Sequence, residues 1–154
     1  MSEDIKITVG TELHVAPEVP ATYDEAGYDA ITGFTEVGQV ASIPTFGGSA
    51  EVPTFTPVKT GVVNKRKGSI NYGAPTIPFA NVLTDAGQQA LQAGFDGAER
   101  NTVHSFKLVN SEIGTVYFTG MVSGYQYNYG DANSINQAEV TVEIVTQPVV
   151  VEPV

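Results

Sequence analysis

Between Val62 and Phe95 a basic turn, a proline-bearing strand and one short helix follow in order, and that order limits the folds open to this chain. Lys65, Arg66 and Lys67 are three of only seven positive residues in a chain that carries seventeen acids. The helix is expected over residues 84–95. Thr84 suits its N-cap, and Asp85 suits the positive end of its dipole. Leu83, Ala90, Leu91 and Phe95 fall on one side, while Asp85, Gln88, Gln89, Gln92 and Asp96 form the opposite polar stripe at helical spacing. Gly87 and Gly94 allow close backbone approach, and Asp96-Gly97 ends the run. Strand-like segments flank this one persuasive helix on both sides. The organisation predicts a β domain with a single helix clipped across an open end.

The remaining punctuation agrees with a β architecture. Sixteen Gly and nine Pro separate short apolar runs. Strands are expected over Ile5–Val9, Leu13–Ala16, Val37–Ile43, Val52–Val58 and Ile70–Phe79. Prolines at 53, 57, 75 and 78 push the last two toward sheet edges. Better strands follow over Val103–Val109, Thr115–Ser123 and Glu139–Val145. In the first, His104, Phe106 and Leu108 share a face; in the second, Val116, Phe118 and Val122 do. Tyr125, Tyr127 and Tyr129 extend the alternation into a ribbon that reaches past the body, closed by a turn at Gly130-Asp131-Ala132-Asn133. A helical turn over Tyr23–Ala30 is weakened by Gly27. The organisation expected is a single domain over 1–154, with an acidic N-terminal arm (1–36), a β core (37–147) and an apolar extended tail (148–154).

Charge and composition exclude several functions. A formal net charge of -10 leaves no basic face able to neutralise a run of phosphates, so tight nucleic-acid binding is not expected. No apolar run approaches a membrane span. The acidic start Met1-Ser2-Glu3-Asp4 lacks the apolar stretch of a secretory signal. The absence of cysteine removes disulfide frameworks, thiolate metal sites and cysteine nucleophiles.

Catalytic constellations are equally absent. The two histidines stand apart: His14 in the acidic arm, and His104 on an apolar strand face, where a hydrogen-bonded core residue is expected. Gly47-Gly48-Ser49-Ala50-Glu51 fails the nucleophile-elbow pattern at its last position. No phosphate-cradling glycine loop and no calcium loop occurs. No cofactor or metal is expected. What remains is interaction chemistry. Lys65, Arg66 and Lys67 read either as a soluble loop tip or as a knob that docks onto the acidic 12–36 surface of another copy. Tyr125, Tyr127 and Tyr129 read as cross-strand packing or an interface ahead of a platform for sugars or bases. Exposed ribbon edges call for a covering partner.

Four segments, in their order and spacing, carry a resemblance: Pro20-Ala21-Thr22-Tyr23-Asp24-Glu25-Ala26-Gly27-Tyr28, Thr35-Glu36-Val37-Gly38-Gln39-Val40, Asp85-Ala86-Gly87-Gln88-Gln89-Ala90-Leu91 and Gly114-Thr115-Val116-Tyr117-Phe118-Thr119-Gly120. Over about 11–147 the chain resembles the tail tube proteins of long, non-contractile-tailed bacteriophages. The resemblance implies a β-sandwich or barrel with one flanking helix, in hexameric rings stacked into a hollow tube that passes DNA during ejection. It implies a virion tail location after assembly in the host cytoplasm. The partners implied are other copies of the chain and the tail-tip initiator, length-setting and tail-terminator proteins. It makes 62–73 an inter-subunit loop, and the N-terminal arm and C-terminal tail contacts between rings. The alternatives from the sequence are the tube protein of a contractile injection or type VI secretion machine, and a monomeric β-sandwich carbohydrate-binding module. An enzyme ranks last.

Overall fold

A computed structural model describes residues 5–153; Met1 to Asp4, including the acidic start, lie outside the described residues. The chain is mainly β. Among the described residues the elements follow in order: β1 (Glu12–Ala16), α1 (Glu25–Asp29), β2 (Thr35–Val37), β3 (Ser49–Ala50), β4 (Thr54–Phe55), β5 (Asn64–Lys65), β6 (Ile70–Asn71), β7 (Thr76–Ala80), α2 (Ala86–Asp96), β8 (His104–Asn110), β9 (Gly114–Asn128), β10 (Gln137–Ile144) and β11 (Val149–Val151). One curled sheet runs β2-β1-β8-β9-β10-β7, with β11 added to β9. All its pairings are antiparallel.

The long strand β9 organises this sheet. Its first half pairs with β8, placing Phe106 opposite Phe118, and the two rings stack at 5.2 Å. On its other edge lie β11 at Thr115–Tyr117 and β10 from Gly120 to Asn128. The main core covers one face: Leu13, Val15, Ile77, Phe79, Leu91, Phe106, Phe118, Val140 and Val142 are all buried there. The opposite face carries a smaller cluster, in which Tyr28 of α1 stacks on Tyr117 at 5.0 Å beside Ala16 and Ile31.

The helix α2 seals the main core. It begins at Ala86, and its N-cap is Asp85 rather than Thr84: Asp85 has extended backbone angles, and its carboxylate accepts from the Gln88 amide at 3.0 Å. The same carboxylate accepts from the Gly38 amide at 3.1 Å, tying the helix to the end of β2. Two positions on the predicted faces are reversed. Leu83, expected inward, precedes the helix and is 72% exposed. Gln88, expected in the polar stripe, is buried, because its amide donates to Gly38 O and Ala80 O while its carbonyl accepts from Val82 N. These three backbone groups converge from two distant segments, and a polar side chain is what satisfies them.

Other boundaries also move. Ile5–Val9 does not form a strand; it is exposed and lacks a strand partner among the described residues. Leu13–Ala16 falls in β1, an interior strand, so the expected arm supplies part of the core. The run Val37–Ile43 breaks at Gly38-Gln39, where Gln39 takes a φ of 61°; Val40 then bridges Phe79. Val52–Val58 keeps only the two residues of β4, and Ile70–Phe79 divides into β6 and β7 around Gly73 (φ 95°). The tail segment Val149–Val151 is extended, as expected, and is hydrogen-bonded into the sheet.

Candidate assembly surfaces

The basic segment belongs to a two-stranded ribbon that projects from the sheet. Its base is fixed by Gly47 N donating to Tyr72 O, by Ile144 N donating to Gly73 O, and by Phe46 against Phe118 at 5.4 Å. From there β3 pairs with β6, and β4 pairs with β5. Between these ladders Glu51 N donates to Ser69 O, Gly68 N to Glu51 O and Arg66 N to Pro53 O, so the pairing continues across the short elements. The tip closes where Gly61 N donates to Pro57 O, with Gly61 at a φ of 65° that glycine adopts without strain.

Lys65, Arg66 and Lys67 therefore sit midway along the returning strand, not at a turn. Lys65 lies opposite Thr54, and the Arg66 guanidinium folds back to donate to Lys65 O at 2.8 Å. Every residue from Glu51 to Ile70 is exposed except Pro57. That includes Phe55 at 69% and also Val52, Val58, Val62 and Val63. The reading of the sequence overlooked this apolar row. Its one signal was a set of valines and a phenylalanine set among prolines, with no helix or strand period long enough to assign them a core face.

The tyrosines divide between two roles. A β-bulge at Ser123 lets Val122 pair with Val142 and Gly124 with Thr141, leaving Ser123 without an opposite residue. The bulge shifts the alternation by one, so Tyr125 faces the same side as Phe118 and Val122. Tyr125, half-buried, then packs against the main core beside Phe79 at 5.9 Å. Tyr127 stands edge-on to Tyr125 and accepts from Gln92 of α2 at 3.2 Å. Tyr129, 67% exposed, lies at the ribbon end. With Tyr125 half-buried against the core and Tyr127 edge-on to it, the three rings do not form a flat platform for a sugar.

His104, His14 and Tyr117 each make a contact within the chain. His104 is buried beneath α2, with Nδ1 3.1 Å from Thr102 O, and burial pushes its pKa below the ordinary imidazole value. His14 pairs with Glu12 at 3.0 Å. Burial, reinforced by the Asp29 carboxylate that accepts from its hydroxyl at 3.1 Å, pushes Tyr117 up to about 12. No group of three or more metal-ligating side chains occurs among the described residues.

No family model matches the chain, and no curated protein matches it in sequence. Solved structures do match in fold. A chain of the tail of an empty gene transfer agent (GTA) particle, determined with C6 symmetry, superposes with a TM-score of 0.62 at 16% identity, covering 94% of this chain and 97% of that one. A chain in the six-fold symmetrised anti-feeding prophage (AFP) baseplate gives 0.65 at 9% identity, covering 92% and 93%. The SPP1 tail tube gives 0.57 at 10% identity, covering 94% and 77%. The fold is that of phage-type tail tubes. Within this tail-tube fold, the ribbon over 49–71, the end of the β9–β10 hairpin and the segment Ile5–Val9 each carry several large apolar side chains that the domain's own core leaves uncovered.

Proposed function

We propose that this protein is a structural subunit of a tail tube, assembling with copies of itself into hexameric rings that stack around a hollow channel for DNA. The observation that carries this reading is the tail-tube fold over more than nine-tenths of the chain. The uncovered ribbon supports it. An exposed two-stranded element with an apolar row has no thermodynamic reason to stay extended in water unless something covers it. The net charge of -10 fits the same role, since an acid-rich channel repels phosphates and lets a duplex pass without adhering. The role is structural, not catalytic, and its setting is the tail of a virion. Lys65, Arg66, Lys67, Tyr127 and Tyr129 are the proposed inter-subunit contacts, and the half-buried Tyr125 supports them from the edge of the core. The tail-tip, length-setting and terminator proteins of such a tail are the proposed partners beyond the chain itself.

A contractile setting is the second reading, favoured by the TM-score of 0.65 to the AFP baseplate chain and by a further match, at 0.59, to a chain of a contractile injection system's sheath and tube terminator. Electron microscopy of the concentrated protein beside light scattering tests the shared core of both. Rings or hollow tubes are the expected outcome. A monomer at every concentration, unchanged when a tail-tip complex is added, would overturn it.

A further inference from the structure

The positive charge of this protein is concentrated in one element. The ribbon over 49–71 holds four of the seven Lys and Arg residues (Lys59, Lys65, Arg66 and Lys67) against a single acid, Glu51, a formal +3. The rest of the chain holds three cations against sixteen acids, a formal -13. A cationic arm with an exposed apolar row seeks a surface that is acidic and apolar together, and a second copy of this chain offers one.

That surface lies on the α1 side of the sheet. A cleft of about 310 Å³ opens between α1, the β8–β9 turn and β11, lined in part by Glu25, Asp29, Tyr117, Val151, Glu152 and Pro153. Its three carboxylates sit on exposed residues beside an apolar floor. Other acids are committed inside the chain: Asp24 accepts from Gly27 N, Asp85 caps α2, and Asp131 accepts from Asn133 N. Glu25 and Glu152, by contrast, accept no hydrogen bond among the described residues, and Asp29 accepts only the Tyr117 hydroxyl at one of its two oxygens. We infer that the cationic ribbon of one copy docks in the α1–β11 cleft of another, pairing Lys65, Arg66 and Lys67 with Glu25, Asp29 and Glu152 while Phe55 and its neighbouring valines cover the apolar floor. The contact is heterologous, because arm and cleft are different surfaces, and so it propagates from copy to copy. This inference rests on the self-assembly reading and names the surface that receives the arm.

Zero-length carbodiimide coupling, which joins amines to carboxylates, tests it on the unaltered protein. An equal mixture of isotopically heavy and light protein separates links between copies from links within one. The expected result is Lys65 or Lys67 joined to Glu25, Asp29 or Glu152 across copies, lost near 1 M salt, where screening shortens to about 3 Å. Links between copies only at other carboxylates, or none, overturn the inference. Charge reversal supplies the second arm. Lys65→Glu/Arg66→Glu/Lys67→Glu and Glu25→Lys/Glu152→Lys should each lose association, and the two sets combined in one chain should regain it. Glu139→Lys/Glu143→Lys should leave it intact. Tubes that form without these links sink the docking contact and leave the tube reading standing. The links in closed, tubeless oligomers do the reverse.

Discussion

A Cβ on Gly94 would lie 2.8 Å from Cε1 of His104 and 3.3 Å from Cγ2 of Val122, so glycine is what lets α2 settle onto the sheet at this point. Gly94→Ala is expected to lower stability by about 1–3 kcal/mol, the usual cost of overpacking a filled core, visible as a lower denaturation midpoint with an unchanged fold. The ring beneath it sets a pH dependence. Burial holds His104 below its ordinary value, with the Thr102 carbonyl and the Glu99 carboxylate opposing the shift. As pH falls, the unfolded chain therefore binds this proton before the folded one. The stability linked to His104 is complete above about pH 6.5 and is lost as pH drops from there through the lowered folded value. Thermal melts from about pH 8 down to about pH 5 should show this loss, and His104→Gln should flatten that part of the curve. A wild-type profile identical to that of His104→Gln would remove the ring from the account. At this scale the sequence was legible: alternation alone placed His104, Phe106 and Leu108 on one buried face, where the structure has them.

Elements whose signals are local were legible as well, and those shaped by distant segments were not. The helix was foreseen to within two residues of its start because capping and period are written in adjacent positions. Its register against the sheet was not, because the groups that bury Gln88 come from Gly38, Ala80 and Val82. The same holds for β9. Nothing in Met121-Val122-Ser123-Gly124 announces a bulge, yet that one unpaired residue turns Tyr125 from the solvent side toward the core, where it is half-buried. The ribbon was misjudged for a third reason. Strands of two residues carry no period, so its pairing became visible only through the ladder itself. A test at this scale concerns the clip at the start of α2. Asp85 serves two amides at once, Gln88 N and Gly38 N. Asp85→Ala should cost at least the ~0.5–2 kcal/mol typical of a lost N-cap. Amide exchange should quicken at the start of α2 and at Gly38 together. Quickening confined to the helix would mean that the link to β2 carries no energy.

For the whole molecule, the decisive fact is that much of the exposed apolar surface lies on projections, while one face of the sheet is filled by the main core. Ile5, Ile7 and Val9 alternate along one such projection, all largely exposed. The segment is held at its root, where the Asn110 side-chain amide donates to Val9 O at 3.1 Å and to Thr11 Oγ1 at 2.9 Å. Alternation of this kind has the period of a strand with one buried face. Burying three such side chains against a neighbour would recover roughly 1.5–3 kcal/mol for each, before the cost of ordering the segment. Removing residues 1–10 should therefore leave the domain folded, because every core residue named above begins at Leu13 or later. If the segment links successive rings, the truncated protein should melt near the wild-type midpoint yet give shorter tubes or isolated rings in electron micrographs. Tubes of normal length would exclude a linking role. A midpoint lowered by many degrees would instead place the segment in the fold of its own domain.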